Sequence, residues 1–128
     1  MAANYDLLKE MFERMVVPRN AALIEVYYHP DFWMSTNQIE QCYDEFRADH
    51  EKYYAEDSRK SYQVEYDDES VVEDWEGVAC RVWITTQQGS PDPTRIEVVL
   101  IAKYLDGRIH KLWELTLPNW STLDGFRS

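Results

Sequence analysis

A turn signal between two long apolar runs constrains this fold more than any other feature of the chain. Asp106-Gly107 separates residues 96–104 from residues 108–117, and both runs are rich in apolar residues. Asp-Gly readily adopts the two positive φ angles of a type I′ turn, which joins adjacent antiparallel strands. We therefore predict a C-terminal hairpin whose register is fixed by this turn.

The register of the hairpin decides which face receives Glu114. If Leu105 lies opposite Arg108, Glu114 lies opposite Val99. Side chains alternate between the two faces of a strand. The residues predicted to share the face of Glu114 are Val99, Ile101 and Leu112. The sequence thus predicts a carboxylate among hydrocarbon side chains.

The opposite face of the hairpin is apolar as well. The residues predicted there are Val98, Leu100, Ala102, Trp113 and Leu115. Exposing either face to water is unfavourable, so each face needs a cover. We expect helices on the face of Glu114 and a second subunit, related by a two-fold axis, on the other. The predicted homodimer contacts are Val98, Leu100, Trp113 and Leu115.

The charge balance narrows the classes of partner. The 128 residues, which we expect to form one domain (1–128), carry 24 acidic and 13 basic side chains and a net charge of -11. Nucleic acids and anionic membranes are bound through clusters of lysine and arginine, so we expect neither partner. A small molecule that is uncharged or cationic suits this composition better.

Targeting, redox and metal motifs are not found in the sequence. It has no apolar run near the ~20 residues of a membrane span and no signal-like N-terminus, so we expect a cytoplasmic protein. Cys42 and Cys80 do not form a C-x-x-C motif and are predicted to be buried hydrophobes. His29, His50 and His110 lack the spacing of a helical metal site, so we expect no metal and no cofactor.

Helical periodicity is confined to the first half of the chain. Apolar residues recur every three or four positions over residues 7–16, which predicts a helix that ends before Pro18. A second helix is predicted over residues 18–28 and a short strand over residues 31–35. The helical pattern returns from Gln38. Its apolar stripe contains Ile39, Cys42, Tyr43, Phe46, His50, Tyr53 and Tyr54.

The second half of the chain alternates with the period of two that is typical of strands. Strands are predicted over residues 62–66, 71–73 and 78–86, with an acidic turn at 67–70 and a connection at 87–94 before the hairpin. Three helices followed by antiparallel strands indicate an α+β domain with the helices packed on one face of the sheet.

Two segments resemble a known family. They are Tyr28-His29-Pro30-Asp31-Phe32 and Asp106-Gly107-Arg108-Ile109-His110-Lys111-Leu112-Trp113-Glu114-Leu115. Together with the order of helices and strands, they resemble the SnoaL-like branch of the nuclear transport factor two-like superfamily over nearly the whole chain. The resemblance implies a cystatin-like cone, in which three N-terminal helices pack on a strongly curved antiparallel sheet and close a pocket.

The same resemblance implies a range of functions. Members of the superfamily include polyketide cyclases, ketosteroid isomerases, epoxide hydrolases and dehydratases, and also binding or assembly domains without catalysis. The family's last-strand aspartate, often an acid/base group, corresponds to Glu114, and the histidine two residues before it corresponds to Leu112. The missing histidine argues against a direct transfer of cyclase chemistry.

Glu114 and His50 are the candidate catalytic residues. Burial among apolar side chains raises the pKa of a carboxyl group and suits it to general acid or base catalysis. The alternatives for Glu114 are an ion pair with an arginine such as Arg81, or contact with solvent at the sheet margin. His50 lies on the apolar stripe of the third helix, where it either reaches the cavity of Glu114 or serves as a hydrogen-bonded core residue.

Aromatic side chains near the expected pocket mouth are candidate ligand contacts, together with the apolar residues around Glu114. The proposed ligand contacts are Trp33, Tyr27, Tyr53, Tyr54, Val99, Ile101 and Leu112. Packing alone is the alternative for each aromatic residue. His110 is expected to be exposed beside the turn.

Two functions fit the sequence. The first is a domain that binds a small hydrophobic, carbonyl-bearing molecule in an apolar pocket, with possible isomerase, cyclase or dehydratase chemistry performed by Glu114 and His50. The second is a non-catalytic dimeric interaction or assembly module. A cavity that contacts Glu114 would favour the first function, and side chains filling that space would favour the second.

Overall fold

The computed structural model describes residues 3–56, 60–88 and 93–119. Three helical segments and six strands follow one another along the chain. The helical segments are α1 (Ala3–Met11, continued by a π-helical turn Phe12–Val16), α2 (Ile24–Tyr27, preceded by a 3₁₀ turn Ala21–Leu23) and α3 (Tyr43–Glu56). The strands are β1 (Tyr28–Thr36), β2 (Ile39–Cys42), β3 (Lys60–Glu73), β4 (Gly77–Gln88), β5 (Thr94–Leu105) and β6 (Arg108–Leu117).

All six strands form one curved sheet in the order β2-β1-β6-β5-β4-β3. The helices pack on its inner face, which confirms the predicted α+β architecture. The sheet is mixed, because β1 runs parallel to β6 whereas every other pair is antiparallel. The predicted antiparallel pairing is confirmed for four strand pairs and does not hold for β1 and β6.

The first predicted helix is confirmed and the second is shorter than predicted. Leu8 and Met15 lie on the buried face of the first helix, as its apolar spacing requires. Arg19 has a φ of 56°, and the side chain of Asn20 accepts a hydrogen bond from the backbone N–H of Ala22 at 3.2 Å. The chain therefore caps a new helical turn after Asn20 instead of beginning a helix at Pro18.

A short strand replaces the predicted start of the third helix. Asn37 and Gln38 have φ angles of 49° and 73°, so the chain turns back on β1 and forms β2 before α3 begins. Ile39 and Cys42 are consequently exposed on an edge strand. The predicted burial of Cys42 is wrong, whereas that of Cys80 is confirmed.

The acidic segment 67–70 lies inside β3 and does not form the predicted turn. The pairing of β3 with β4 shifts between Asp67 and Val72. Ser70 stabilises this bulge, because its hydroxyl donates to the carbonyl of Asp67 at 2.7 Å and accepts from the N–H of Arg81 at 2.8 Å.

The connection predicted at 87–94 is shortened at both ends by β4 and β5, and residues 89–92 lie outside the described residues.

The C-terminal hairpin has the predicted turn but not the predicted register. Asp106 and Gly107 have φ angles of 54° and 76°, and Leu105 lies opposite Arg108. A bulge then inserts one extra residue, His110, into β6, so that Glu114 lies opposite Leu100 rather than Val99. Because side chains alternate between the two faces of a strand, this shift of one residue changes which residues of β5 share a face with Glu114.

This slip corrects the residue sets of both faces. Val99 and Ile101, predicted beside Glu114, are 48% and 49% exposed on the outer face. Val98 and Leu100, predicted to contact a second subunit, are buried beneath the helices. The outer face of the hairpin therefore carries Val99, Ile101, Trp113 and Leu115.

Candidate functional site

A cavity of about 160 Å³ lies between the helices and the inner face of the sheet. Its apolar lining comprises Leu8, Met11, Phe12, Met15, Val16, Tyr28, Met34, Phe46, Ile84, Ile96, Val98, Leu100, Ile109 and Leu112. An apolar cavity of about 150 Å³ is large enough to hold a benzene molecule. The space beside Glu114 is therefore suited to a single-ring molecule and is not filled by side chains.

Polar side chains reach the same cavity. They are Thr36, Gln41, His50, Tyr53, Tyr54, Tyr62, Glu114 and Thr116. The described lining contains one carboxylate and no lysine or arginine. Without a basic group to offset its charge, an anionic ligand would be placed near Glu114 at a high desolvation cost, so the lining favours an uncharged molecule.

Glu114 projects from β6 into this cavity. Its residue pair on the neighbouring parallel strand is Thr36, whose hydroxyl donates a hydrogen bond to Glu114 Oε1 at 2.9 Å. Burial raises the pKa of Glu114, and the hydrogen bond from Thr36 opposes that rise because it stabilises the carboxylate. The site thus contains a carboxyl group with an increased affinity for a proton.

The predicted alternative partner of Glu114 lies on the other side of the sheet. Arg81 donates to Asp67 Oδ2 at 2.7 Å and to Glu97 Oε2 at 3.2 Å. Its neighbours Cys80 and Val82 face the core, so strand alternation directs Arg81 outward. An ion pair between Glu114 and Arg81 is therefore excluded by this arrangement.

The turn after β1 holds the strand segment that carries Glu114. The backbone N–H of Asn37 donates to the carbonyl of Glu114 at 3.0 Å. The Asn37 amide also bonds both the hydroxyl and the backbone N–H of Thr116, at 2.7 and 2.9 Å. These three bonds fix β6 against the end of β1 at the carboxyl-bearing residue and two residues beyond it.

His50 reaches the cavity from α3 as a neutral imidazole with a defined tautomer. Its Nδ1 lies 2.9 Å from the carbonyl oxygen of Phe46, which only accepts hydrogen bonds, so Nδ1 carries the proton. Burial lowers the pKa of His50, against the opposing effects of the Phe46 carbonyl and Asp49. The lone pair of a neutral ring with this tautomer lies on Nε2, which forms no hydrogen bond within the described residues.

An aromatic cluster surrounds His50. The His50 ring centroid lies 4.1 Å from that of Phe46, 5.7 Å from that of Tyr53 and 5.5 Å from that of Tyr54. Tyr28 packs on Phe46 from β1 at 4.7 Å. The pKa of Tyr28 is raised by burial and further by the charges of Tyr54 and Glu114, so Tyr28 is electrostatically coupled to the carboxyl group.

Five of the nine candidate residues line the cavity and four do not. Those that line it are Glu114, His50, Tyr53, Tyr54 and Leu112. Those outside it are Trp33, Tyr27, Val99 and Ile101. Trp33 faces outward, where its Nε1 donates to Glu40 at 3.1 Å and its ring contacts Trp113. The hydroxyl of Tyr27 donates to Glu10 at 2.7 Å, so Tyr27 anchors the first helix.

Sequence reasoning missed Tyr28 and Thr36 as cavity residues. Tyr28 stands in the Tyr-His-Pro-Asp-Phe segment, which supplied a usable signal. Thr36 carries no local signal, because its place depends on pairing with a strand 78 residues away. His110, expected to be exposed, is half-buried, with its ring 5.1 Å from that of His29.

Two further classes of site are absent from the described residues. Over residues 3–56, 60–88 and 93–119, no group of three or more histidine, cysteine, aspartate or glutamate side chains is arranged to hold a metal ion. In the same part of the chain, no helix combines the length and the apolar character that a membrane crossing needs.

Several solved structures have an architecture similar to that of this chain. AclR from Streptomyces galilaeus, proposed to be a hydroxylase, matches with a TM-score of 0.75 and 16% identity, covering 95% of each chain. A SnoaL-like polyketide cyclase from Agrobacterium tumefaciens matches with a TM-score of 0.63 and 11% identity, covering 88% of this chain and 89% of its own. A de novo designed protein with a curved β-sheet matches with a TM-score of 0.62 and 15% identity, covering 94% and 89%.

The likeness to these structures is strong in three dimensions, whereas the sequence identity is only 11% to 16%. No family model matches the chain, and no match was found among curated proteins. A protein proposed to be a hydroxylase, a polyketide cyclase and a designed protein share the architecture, so the architecture alone does not specify a chemical activity. The chain therefore has the fold of the SnoaL-like polyketide cyclases.

Proposed function

We propose that this protein binds a small, uncharged, carbonyl-bearing molecule in its inner cavity and catalyses proton transfer on it. The observation that carries the proposal is the presence of two groups of complementary character in one apolar cavity. Glu114 has a raised pKa, and His50 has a lowered pKa and a free Nε2 lone pair. Pairs of groups whose surroundings move their pKa values apart are typical of acid/base catalysis.

The two groups have distinct roles in such a reaction. Glu114, in its protonated form, donates to the carbonyl oxygen of the ligand. His50 Nε2 accepts a proton from the carbon next to the carbonyl, and the electron pair of that C–H bond forms the carbon–carbon double bond of an enol. In a ligand with a carbon–carbon double bond one position further along, this enol is a dienol. His50 returns its proton to the far carbon of the dienol, the O–H proton goes back to the Glu114 carboxylate, and the carbonyl re-forms, which completes an isomerisation in which no atom is gained or lost.

The structural neighbours support this class of chemistry without specifying it. One of them is described as a polyketide cyclase, and closing a ring on a carbonyl-rich chain uses the same enol-type step. Leu112 replaces the histidine that the family resemblance predicts near the acid. Isomerisation, which needs the Glu114 and His50 pair alone, is therefore the reaction favoured for this chain.

Hydrogen–deuterium exchange at carbon provides the direct test. Acetophenone, propiophenone and 3-cyclohexenone, all single-ring ketones, are incubated with the protein in D₂O, and NMR follows deuterium entry next to the carbonyl. Exchange catalysed by the protein should fall roughly 100-fold in Glu114→Gln and in His50→Gln, because each variant loses a proton-transfer group. The rate should also decrease as the pH rises through the pKa of Glu114, since the acid form is lost.

A matched variant makes this test specific. Glu65→Gln makes the same chemical change at an exposed carboxylate that pairs with Arg95 at 3.5 Å, and it should exchange at the wild-type rate. Equal exchange by the wild type, Glu114→Gln and His50→Gln for all three ketones would refute the proposed chemistry. Mass spectrometry of denatured protein identifies any co-purified ligand independently.

A homodimer through the outer sheet face is a second proposal, and a specific surface favours it. Val99, Ile101 and Leu115 are 48%, 49% and 65% exposed on adjacent strands. Contiguous apolar patches of this kind are typical of protein contacts. The same face of a second copy would cover them by two-fold symmetry. This arrangement would also serve the alternative function, an assembly module.

Leu115→Glu tests the dimer. Two glutamates that meet across a two-fold interface repel each other and replace apolar contacts, so self-association should weaken roughly 100-fold. Val26→Glu, which places the same charge on a half-exposed position of α2, should leave the association unchanged. Sedimentation velocity at micromolar concentration measures both variants. A wild-type protein that sediments as a monomer would contradict the proposal.

A further inference from the structure

We infer that Thr36 is a positioning residue for Glu114, which holds one carboxyl oxygen so that the other is presented to the cavity with the exchangeable proton. This inference rests on the proposed function of Glu114 as the proton donor. It assigns a role to a residue that belongs to a different strand and does not itself transfer the proton.

The geometry begins with the pairing of β1 and β6. Thr36 and Glu114 are residue partners across the parallel pair, and Thr36 Oγ1 donates to Oε1 at 2.9 Å. Thr36 is only 3% exposed, so its hydroxyl bond is shielded from competing water. Asn37 holds the two strands together immediately beyond this contact, because it donates two hydrogen bonds to β6 and accepts a third from the N–H of Thr116. Both the donor and the acceptor are therefore held on rigid elements.

The two oxygens of Glu114 are consequently unequal. Oε1 accepts from Thr36, whereas Oε2 makes no hydrogen bond in the described part of the chain, and the side chain lines the cavity. An oxygen that already accepts a hydrogen bond is the poorer site for a proton. When Glu114 takes up a proton, Oε2 is therefore the favoured oxygen, and from there the proton can be donated to a ligand carbonyl.

The ionisable groups that share the cavity determine how Glu114 can be observed. They are Tyr28 from β1, His50, Tyr53 and Tyr54 from α3, and Tyr62 from β3. Tyrosines titrate far above a carboxyl group, so among the described lining residues His50 is the group whose titration lies nearest to that of Glu114. The imidazole signals of His50 are distinct from carboxyl signals in an NMR titration, so the two groups can be followed separately.

The test uses two matched pairs that differ in the hydroxyl group. Thr36→Val keeps the shape of threonine without the hydroxyl, and Thr36→Ser and Thr36→Ala differ from each other in the same way. NMR of ¹³C-labelled carboxyl carbons follows the titration of Glu114 in the free protein, with Glu114→Gln assigning the signal. The midpoint should move to higher pH in Thr36→Val and Thr36→Ala, and remain near the wild-type value in Thr36→Ser.

Each outcome decides the inference. A higher titration midpoint of Glu114 in Thr36→Val and Thr36→Ala, with a wild-type midpoint in Thr36→Ser, supports the positioning role of Thr36. This result holds even if no ketone exchanges deuterium. The proposed catalytic function would then fail, and the positioning role would not. A midpoint that does not move in folded Thr36→Val overturns the inference, and the serine and alanine pair decides it if the valine variant does not fold. Ketone exchange that follows the hydroxyl across all four proteins connects the positioning role to the chemistry.

Discussion

Replacing Gly77 with alanine should lower the free energy of unfolding by at least ~3 kcal/mol. A Cβ atom at this position would lie 2.1 Å from the carbonyl oxygen of Ala102 and 3.1 Å from the Cα of Lys103. Both contacts are with backbone, which cannot rotate away as a flexible side chain can. The strands β4 and β5 would have to separate where Gly77 lies against Ala102 and Lys103.

The surroundings of Gly77 explain why this separation is costly. The turn between β3 and β4 folds back so that the N–H of Tyr104 donates to the carbonyl of Glu76 at 2.9 Å. Asp74 Oδ1 accepts from the N–H groups of Glu76 and Gly77 at 2.8 and 3.2 Å. Moving the strands apart would stretch these bonds together. The glycine is therefore required by the close approach of two backbones.

Gly107→Ala is the matched control for Gly77→Ala. Gly107 has a φ of 76° and nothing within 4 Å of an added Cβ, so its replacement introduces backbone strain without a collision. We expect a cost of about 1 kcal/mol, typical of losing a glycine in a turn. Urea unfolding followed by circular dichroism measures both variants. Equal losses in the two would show that the approach of β4 and β5 is not tight in solution.

The hairpin shows which features a sequence can predict. The Asp106-Gly107 turn depends on the local φ preferences of two residues and is confirmed. The register beyond it depends on burial. Ile109 and Leu112 are both buried, and strict alternation would put residues three apart on opposite faces. The bulge at His110 resolves this conflict, and it moves Val99 out of the site and Leu100 into contact with it.

The third helix illustrates competition between two local patterns. Its stripe of apolar residues holds for Phe46, His50 and Tyr54, which line the cavity. The stripe fails at Ile39 and Cys42, where the left-handed turn before them starts a strand instead. Helical spacing over four residues is too short to exclude a hairpin, so only the longer part of the pattern was predictive.

The candidate site was predictable in its ionisable groups and not in its supporting contacts. Periodicity placed His50 on an inward face, and the hairpin pattern drew attention to Glu114 as a carboxylate among apolar side chains. Their hydrogen-bond partners are harder to foresee. Phe46 supports His50 through a backbone carbonyl, and Thr36 supports Glu114 across a parallel pair. Contacts of this kind depend on tertiary pairing, which local patterns do not encode.

Phe32→Ala should lower the free energy of unfolding by about 4 kcal/mol, the usual cost of removing a buried phenylalanine ring. Phe32 is 2% exposed, and its ring centroid lies 4.9 Å from that of Tyr28 and 5.0 Å from that of Phe46. These rings join β1 to α3. Phe46 in turn contacts His50 with its ring and bonds it with its carbonyl, so the same substitution should release His50 from its fixed tautomer.

Two measurements show whether the effects of Phe32→Ala on stability and on His50 depend on the buried position of the ring, rather than on the removal of any aromatic side chain. Trp75→Ala removes a larger ring that is 86% exposed, and its unfolding free energy should stay within about 0.5 kcal/mol of the wild-type value. NMR of the His50 imidazole in folded Phe32→Ala should show its pKa rising towards the ordinary range, because an emptied core admits water and reduces desolvation. An unchanged His50 titration together with a full loss of stability would mean that α3 holds the base without help from β1. The cavity wall formed by β1 and the imidazole of His50 would then be independent of each other. Changes in β1 could alter the shape of the cavity without altering the proton affinity of His50.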